Sequence, residues 1–369
     1  MNIVQVGTDL HILDKTTRTY ARMKAYAEVL GDLRIIIPVT EKSFQQISDG
    51  PLRVYPVYAP SKILALFVLH WRLTSMLNAD SIVYAQDPFE IGLMAYLSAV
   101  LRHCKFVVQV HTDFLSPYFA RESLRRKFQV PLARFLVKRA YAVRVVSERI
   151  KNSLVKGVGV DEGKLFVLPI LFDSPAIQPT REVGKGDSIS FLVLSRFVVE
   201  KRVDLVIEAF RELKKITTKK ISLTIAGDGP LKSQLEKLAS SDPDIHFIGW
   251  QKNLSTAYTN ADCLVLASMY EGYSLNILEA AGYGVPSIMT DVGCAGEFLI
   301  HNENGVVIPI GDKQALVDAM KYVVTNPNQL TLMGSKGREK LIELSNPEAY
   351  LLQLKRMFEQ ISLEEKRPA

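Results

Sequence analysis

Short β-branched runs alternate with longer amphipathic stretches along nearly the whole chain, and this alternation restricts the fold to βα units wound around mostly parallel sheet. In the first half the strand candidates are 3–6, 34–39, 81–85, 106–111, 142–147 and 165–170. Helical patterns lie between them over 16–30, 62–77, 89–102, 121–139 and 148–156. The rhythm then breaks. Residues 172–187 hold Pro175, Pro179, Gly184 and Gly186 among scattered charges without periodicity, the mark of a linker. It restarts with strands at 188–194, 221–226, 245–249, 263–267, 287–290 and 306–308, and with a helix after Arg202 whose Val203, Val206, Ile207 and Phe210 share one face. Two doubly wound domains in tandem are expected, 1–171 and 188–345, as suits a chain of 369 residues. The remainder, 346–369, opens with Asn346 and Pro347 as N-cap and first turn, and lines up Tyr350, Leu354, Met357, Phe358 and Ile361 on one helical face that must find a partner.

Cys104, Cys263 and Cys294 are odd in number, far apart and form no CxxC, which argues against a disulfide framework and against a cysteine zinc site. A strand-like run begins directly after Met1, and the longest apolar run, 63–69, is far short of the ~20 residues of a membrane-spanning helix. The expectation is a cytoplasmic protein that meets a membrane at most at its surface, on the inner face. Charge is unevenly spread. Residues 1–175 carry 23 Lys/Arg against 15 Asp/Glu, whereas 176–369 carry 22 against 24. Segment 121–156 alone holds 11 basic residues and only Glu122 and Glu148 as acids, which accounts for the imbalance.

In open α/β sheets ligands bind beyond the carboxyl ends of the strands, so polar residues in those loops are the first candidates for a site. After the strand at 188–194 come Arg196 and Lys201, two cations before a helix start, which suits a pyrophosphate clamp or, alternatively, a solvated turn. Gly227-Asp-Gly-Pro230 follows the next strand and either admits a ligand to the backbone or simply makes a turn. Gly249 and Trp250 follow the third, with Trp250 either facing a base or lying in the core. The fourth loop reads Ser268-Met-Tyr-Glu271-Gly-Tyr273-Ser274-Leu275-Asn276, with Glu279 inside the helix. Ser274 reads as an N-cap that leaves the amides of Leu275 and Asn276 free for phosphate oxygens. Glu271 suits a sugar's hydroxyls. Glu279, set among Ile277, Leu278, Ala280 and Ala281, suits a ribose diol and needs a polar partner. Asp242-Pro-Asp244 precedes its strand and is discounted as a metal motif, and the spacing of Gly334-Ser-Lys-Gly337 is wrong for a phosphate loop.

In these motifs the chain closely resembles the retaining GT-B nucleotide-sugar glycosyltransferases of glycosyltransferase family 4. The match runs through Ser195-Arg196, Glu200-Lys201, Gly227-Asp-Gly-Pro230, Phe247-Ile-Gly249, Tyr258-x-x-Ala261-Asp262, Glu271-x7-Glu279-Ala280 and Gly284-x-Pro286, and closes with Asp291-Val-Gly293 and Glu297. The resemblance implies two Rossmann-like domains facing a central cleft, an acceptor domain first and a donor domain second, with the final helix crossing back to the first. By the same resemblance Arg196 and Lys201 hold the donor diphosphate, Glu271 acts at the transferred sugar and Glu279 binds the ribose. Gly249 and Trp250 face the base, and Tyr273, Ser274, Leu275 and Asn276 complete the donor contacts. No metal and no cofactor are implied. The family's Gly-Gly pair after the first strand is missing, since only Gly7 stands there, followed by Thr8. His111 in Val110-His-Thr-Asp113 matches a cleft histidine with a catalytic role, and Gly7 and Asp113 fall in the same region.

The implied reaction moves a sugar from a nucleotide-sugar to an acceptor hydroxyl, with retention, by a front-side path in which the leaving diphosphate helps deprotonate the acceptor. The acceptor is expected to be a glycan or a lipid-linked molecule, and segment 121–156 to meet an anionic membrane. In that segment Leu124, Phe128, Leu132, Phe135 and Leu136 share a broad face flanked by Arg121, Arg125, Arg126, Arg134, Lys138 and Arg139, with Pro131 kinking or restarting the helix. The same face would alternatively pack on the sheet. Nucleic acid is not expected, because few aromatics are interleaved with the cations. Two rival readings are a GT-B sugar-nucleotide epimerase, which has no need of a basic acceptor domain, and a non-catalytic protein that binds anionic surfaces.

Overall fold

The structure, a computed structural model, describes residues 1–172, 188–240 and 242–364. The chain divides into two compact units, Met1–Leu171 with Pro347–Ala369, and Phe172–Asn346. The linker expected at 172–187 lies, except for Phe172, outside the described residues.

The first unit opens with β1 (Asn2–Val6), α1 (Arg18–Leu30), β2 (Leu33–Val39), β3 (Ile47–Asp49) and β4 (Leu52–Tyr58). It continues through α2 (Lys62–Met76), β5 (Ser81–Ala85), α3 (Glu90–Arg102), β6 (Lys105–Val110), α4 (Leu124–Arg139), β7 (Ala142–Val145), α5 (Glu148–Val158) and β8 (Leu165–Val167). Thr17, Ser61, Ser123 and Ser147 each cap a helix by accepting a backbone N–H from the first turn. The strands form one sheet in the order β3-β4-β2-β1-β5-β6-β7-β8, parallel except for β3. The chain winds outward from β1 in one direction and from β5 in the other, so the β1/β5 boundary is a topological switch point.

The second unit comprises β9 (Ser188–Leu194), α6 (Val203–Ile216), β10 (Lys220–Ala226), α7 (Lys232–Ala239), β11 (Ile245–Gly249), α8 (Ser255–Thr259) and β12 (Cys263–Leu266). It closes with α9 (Leu275–Gly282), β13 (Ser287–Thr290), β14 (Gly305–Ile308), α10 (Lys313–Thr325) and α11 (Pro327–Leu344). Its sheet runs β11-β10-β9-β12-β13-β14, all parallel, with the switch point between β9 and β12. The helical face Val203, Val206, Ile207 and Phe210 is buried in this unit's core against Phe191 and Ile225. The last helix, α12 (Pro347–Leu363), belongs to the first unit, where Leu354, Met357, Phe358 and Ile361 join the core built by α1 and the β1, β2 and β5 strands.

Two expectations are corrected. Strands β3 and β4 were absent from the strand pattern, β3 because it is only three residues long and β4 because Pro56 interrupts its run. Pro56 is tolerated because β3 pairs only with 52–54, leaving the outer edge of the 55–58 half unpaired. Helix α4 neither restarts nor splits at Pro131. Pro131 is on the exposed side of the helix. The face that α4 buries is Gln129, Ala133, Leu136 and Val137, so Leu136 does not share the face of Leu124, Phe128 and Phe135, which are exposed.

Candidate functional site

The loops after β9 and β12 meet at the second unit's switch point. Lys201, in a single 3-10 turn after β9, lies 2.6 Å from Glu271 Oε1, and Ser268 Oγ donates to the same oxygen at 2.7 Å. Both charged side chains are mostly covered, 17% and 12% exposed, so each depends on the other for charge balance. The Met269 amide donates to the Glu200 carbonyl at 2.8 Å, which ties the two loops together. Arg196 lies earlier in the same loop, 76% exposed, with a loose contact to Glu200 at 3.5 Å.

Helix α9 points its first amides at this edge, and those of Leu275 and Asn276 have no acceptor within the helix. Ser274 stands at the N-cap position of α9, as expected, but does not cap it with its side chain. Its backbone is left-handed, φ 77° and ψ 70°, and its side chain makes no cap bond. Gly293 packs against it so closely that a β-carbon there would meet Ser274 Oγ at 2.6 Å and Tyr273 O at 3.1 Å. Ser274 Oγ is buried without a partner, and so is Ser195 Oγ. A non-glycine residue held at positive φ stores strain that its surroundings must enforce. Cys294 N donates to Tyr273 O at 3.0 Å, bracing the loop from the other side. Tyr273 is buried, and burial pushes its phenol pKa up. The Asn276 side chain donates to Leu194 O at 2.7 Å and pins α9 to the end of β9. Glu279 has the partner its apolar neighbours demand, the Tyr258 hydroxyl at 2.9 Å. Tyr258 and Ser268 are the site residues that sequence reading missed. Tyr258 stood in a recognised motif without a role, and nothing local distinguishes Ser268 from any loop serine.

Close packing requires glycine at Gly227 and Gly229. A β-carbon on Gly227 would strike the Ser195 carbonyl, and one on Gly229 would come within 2.6 Å of the Phe197 carbonyl. The two segments are laced by Phe197 N to Asp228 O at 2.8 Å and Leu231 N to Phe197 O at 3.1 Å, which fixes the loop carrying Arg196. Trp250, after β11 and Gly249, is not a core residue but is 69% exposed. At the opposite sheet edge Asp242 and Asp244 both bind Lys214 Nζ, each at 2.6 Å. Among the described residues no cluster of three His, Cys, Asp or Glu is arranged to hold a metal.

In the first unit His111 lines a cavity of about 40 Å³ with Arg22, Gln86, Gln109 and Arg144. Arg144 is buried, and its guanidinium donates to Leu168 O, Pro169 O, Tyr84 Oη, Tyr350 Oη and Gln109 Oε1 at 2.7–3.2 Å. Burial opposes its charge, but the surrounding phenols of Tyr84, Tyr350 and Tyr26 outweigh it and raise its pKa. Since arginine only donates, the Gln109 oxygen faces it, and His111 Nε2, 2.8 Å from that oxygen, must carry the proton. Nδ1 is then a bare acceptor, buried and without a partner. Burial, then Arg144 and Arg22, lower the His111 pKa to about 3 and keep the ring neutral. Gly7 has no room for a side chain because Gln86 fills the space, with Gln86 Oε1 accepting from Thr8 N at 3.1 Å. Asp113 caps the turn at Leu115 and binds Ser153 Oγ at 3.1 Å, and burial raises its pKa.

The family model "Glycosyl transferases group 1" matches residues 178–340, and the model "Glycosyl transferase 4-like domain" matches 17–170. The chain is 27% identical over 286 residues to N-acetyl-alpha-D-glucosaminyl L-malate synthase of Bacillus anthracis, a match covering 74% of this chain and 73% of the relative. It is 28% identical over 210 residues to a lipopolysaccharide core biosynthesis glycosyltransferase of Rhizobium meliloti, covering 56% of this chain and 55%, little more than half, of that relative. Among solved structures, sucrose-phosphate synthase from Thermosynechococcus elongatus superposes with a TM-score of 0.78 at 18% identity, covering 98% of this chain and 99% of that one.

Proposed function

Since the chain is a GT-B glycosyltransferase related to the group 1 glycosyl transferases and moves a sugar from a nucleotide-sugar donor to an acceptor, we propose that the donor sits on the β9/β12 edge of the second unit. The observation that carries this reading is the Lys201–Glu271 pair at the start of α9, two charges held together at a switch point beside free amides. Arg196, Lys201 and the amides of Leu275 and Asn276 take the diphosphate, Glu271 and Tyr273 the sugar, Glu279 the ribose, and Gly249 with Trp250 the base. The C1–O bond to the diphosphate breaks as the acceptor oxygen attacks from the same face, and the acceptor proton passes to the departing diphosphate oxygen. The cations and amides stabilise the charge developing there. His111, with a bare Nδ1, offers a hydrogen-bond acceptor to a hydroxyl of the acceptor molecule.

Calorimetry with nucleoside diphosphates tests the assignment. Arg196→Ala should weaken binding by about 1–3 kcal/mol, the worth of a charge-assisted hydrogen bond. Glu279→Ala should weaken the nucleotide itself, and Glu271→Gln should depress turnover while leaving free nucleotide binding nearly intact. Unchanged affinity in Arg196→Ala and Lys201→Ala would dismiss the clamp.

For the acceptor we favour a glycan or lipid-linked molecule, and for location the inner face of a membrane. The support is the exposed basic side of segment 121–156 and the relative that works on lipopolysaccharide core. Among the described residues no helix is long and apolar enough to cross a membrane, so attachment would be peripheral.

A further inference from the structure

Helices α2, α3 and α4 form one layer of the first unit. His70 Nδ1 meets Ser98 Oγ at 2.8 Å and Arg102 Nε donates to Thr74 O at 2.7 Å, joining α2 to α3. Tyr96 packs edge-on against Phe135 with ring centres 5.6 Å apart, and Arg125 Nε donates to Glu90 at 2.8 Å, joining α3 to α4. Each helix turns apolar side chains outward. On α2 they are Ile63, Leu64, Phe67 and Trp71; on α3, Leu97, Val100 and Leu101; on α4, Leu124, Phe128 and Phe135. These are ten of the 22 exposed large hydrophobics among the described residues, gathered on three adjacent helices. Phe67, Trp71 and Phe128 are 68%, 69% and 76% exposed, so the layer's own packing leaves this face uncovered.

The charges beside it identify what covers it. The three helices carry nine Lys/Arg, with Glu90 as their single acid, and Glu90 is already taken by Arg125 and Gln129. A two-fold dimer through this face would set like charges against each other, whereas an acidic lipid surface complements them. Exposed aromatics beside cations are the composition of a surface that lies in a membrane interface.

We propose that the outer face of the α2–α3–α4 layer docks on an anionic bilayer, with Phe67 and Trp71 of α2 entering the acyl boundary and the α4 cations reaching the headgroups. This rests on the membrane reading of segment 121–156 and extends it, because α2 lies far outside that segment and supplies the inserted residues. Insertion makes the attachment two-part: an electrostatic component lost at high salt, and an apolar one that survives it.

The test uses the full chain with phosphatidylcholine vesicles, with and without phosphatidylglycerol, at low and high salt. Wild type should sediment with the anionic vesicles and remain partly bound at high salt. Phe67→Ser/Trp71→Ser should bind at low salt about tenfold or more weakly and be released by salt. Lys127→Ser/Arg134→Ser/Lys138→Ser should lose the salt-sensitive part. In a Trp250→Phe background Trp71 is the remaining tryptophan, and its emission should shift blue on vesicles and be quenched by brominated acyl chains. Sedimentation with Trp71 emission unchanged would overturn insertion while leaving the electrostatic reading in place. No sedimentation of wild type would defeat both. A concentration-dependent dimer abolished by Phe67→Ser/Trp71→Ser would show that a second copy covers the face instead.

Discussion

At the scale of single residues, one ion pair and one ring are held in states that water would not give them. Lys201 and Glu271 are each mostly covered and 2.6 Å apart, so removing one leaves the other as a poorly solvated lone charge. Lys201→Ala should therefore lower the melting temperature as well as nucleotide affinity, whereas Arg196→Ala, whose guanidinium is in solvent, should lower affinity alone. Equal melting temperatures for the two variants would break this distinction. The second is His111. Its pKa is about 3 when folded against 6.5 when free, so between those values the unfolded chain binds a proton that the folded one refuses. The His111 contribution is intact above pH 6.5 and is lost as pH falls toward 3. His111→Gln should flatten melting temperature against pH in that window, and an unchanged profile would reject a buried neutral ring. The charge of Glu271 and the need of Glu279 for a partner were readable from their places in the sequence. The tautomer of His111 was not, because it is set by Gln109 and by Arg144, which comes from another strand.

At the scale of elements, the alternation of strand and helix was legible wherever a run was β-branched and unbroken, as in β9, β11 and β13, whose ends agree with the pattern. It failed at β4, where Pro56 breaks the run and only the shortness of β3 makes a proline acceptable, a fact of pairing absent from β4 itself. At Ser274 the N-cap position was legible, but the left-handed backbone that denies its side chain the cap bond was not. At the turn after β10 backbone proximity is what requires glycine. Gly227 and Gly229 have φ of 149° and 156° and abut the carbonyls of Ser195 and Phe197, while Gly249, φ 68°, has open space around it. Gly229→Ala should cost more than about 2 kcal/mol and loosen the Arg196 loop, against about 1 kcal/mol for Gly249→Ala. Denaturant melts of the two variants measure the difference, and equal losses would show that the loop yields without cost.

At the scale of the whole molecule, the first unit is discontinuous in sequence and the second is continuous, and this has a thermodynamic consequence. Helix α12 buries Leu354, Met357, Phe358 and Ile361 in the first unit's core, with Phe358 edge-on to Tyr84 at 5.0 Å. Its Tyr350 hydroxyl accepts from Arg144 at 2.7 Å, and Lys105 Nζ donates to the helix's last carbonyls, Ile361 O at 2.6 Å among them. At about 1.5–3 kcal/mol per large apolar side chain, four such residues contribute on the order of 6–12 kcal/mol, comparable to the whole stability of a domain. Ending the chain at Asn346 would also strip a hydroxyl from the buried guanidinium of Arg144. The first unit should then fail to fold in a 1–346 chain, although every strand of its sheet is present. The second unit, in contrast, ends at Asn346. Expressed alone as 172–346, it should melt cooperatively and, if the donor site is as proposed, bind a nucleoside diphosphate with an affinity that Arg196→Ala weakens. Calorimetric scans of the two truncated chains decide the matter. A 1–346 chain that retains both thermal transitions of the full protein would mean that α12 decorates the first unit's core instead of completing it.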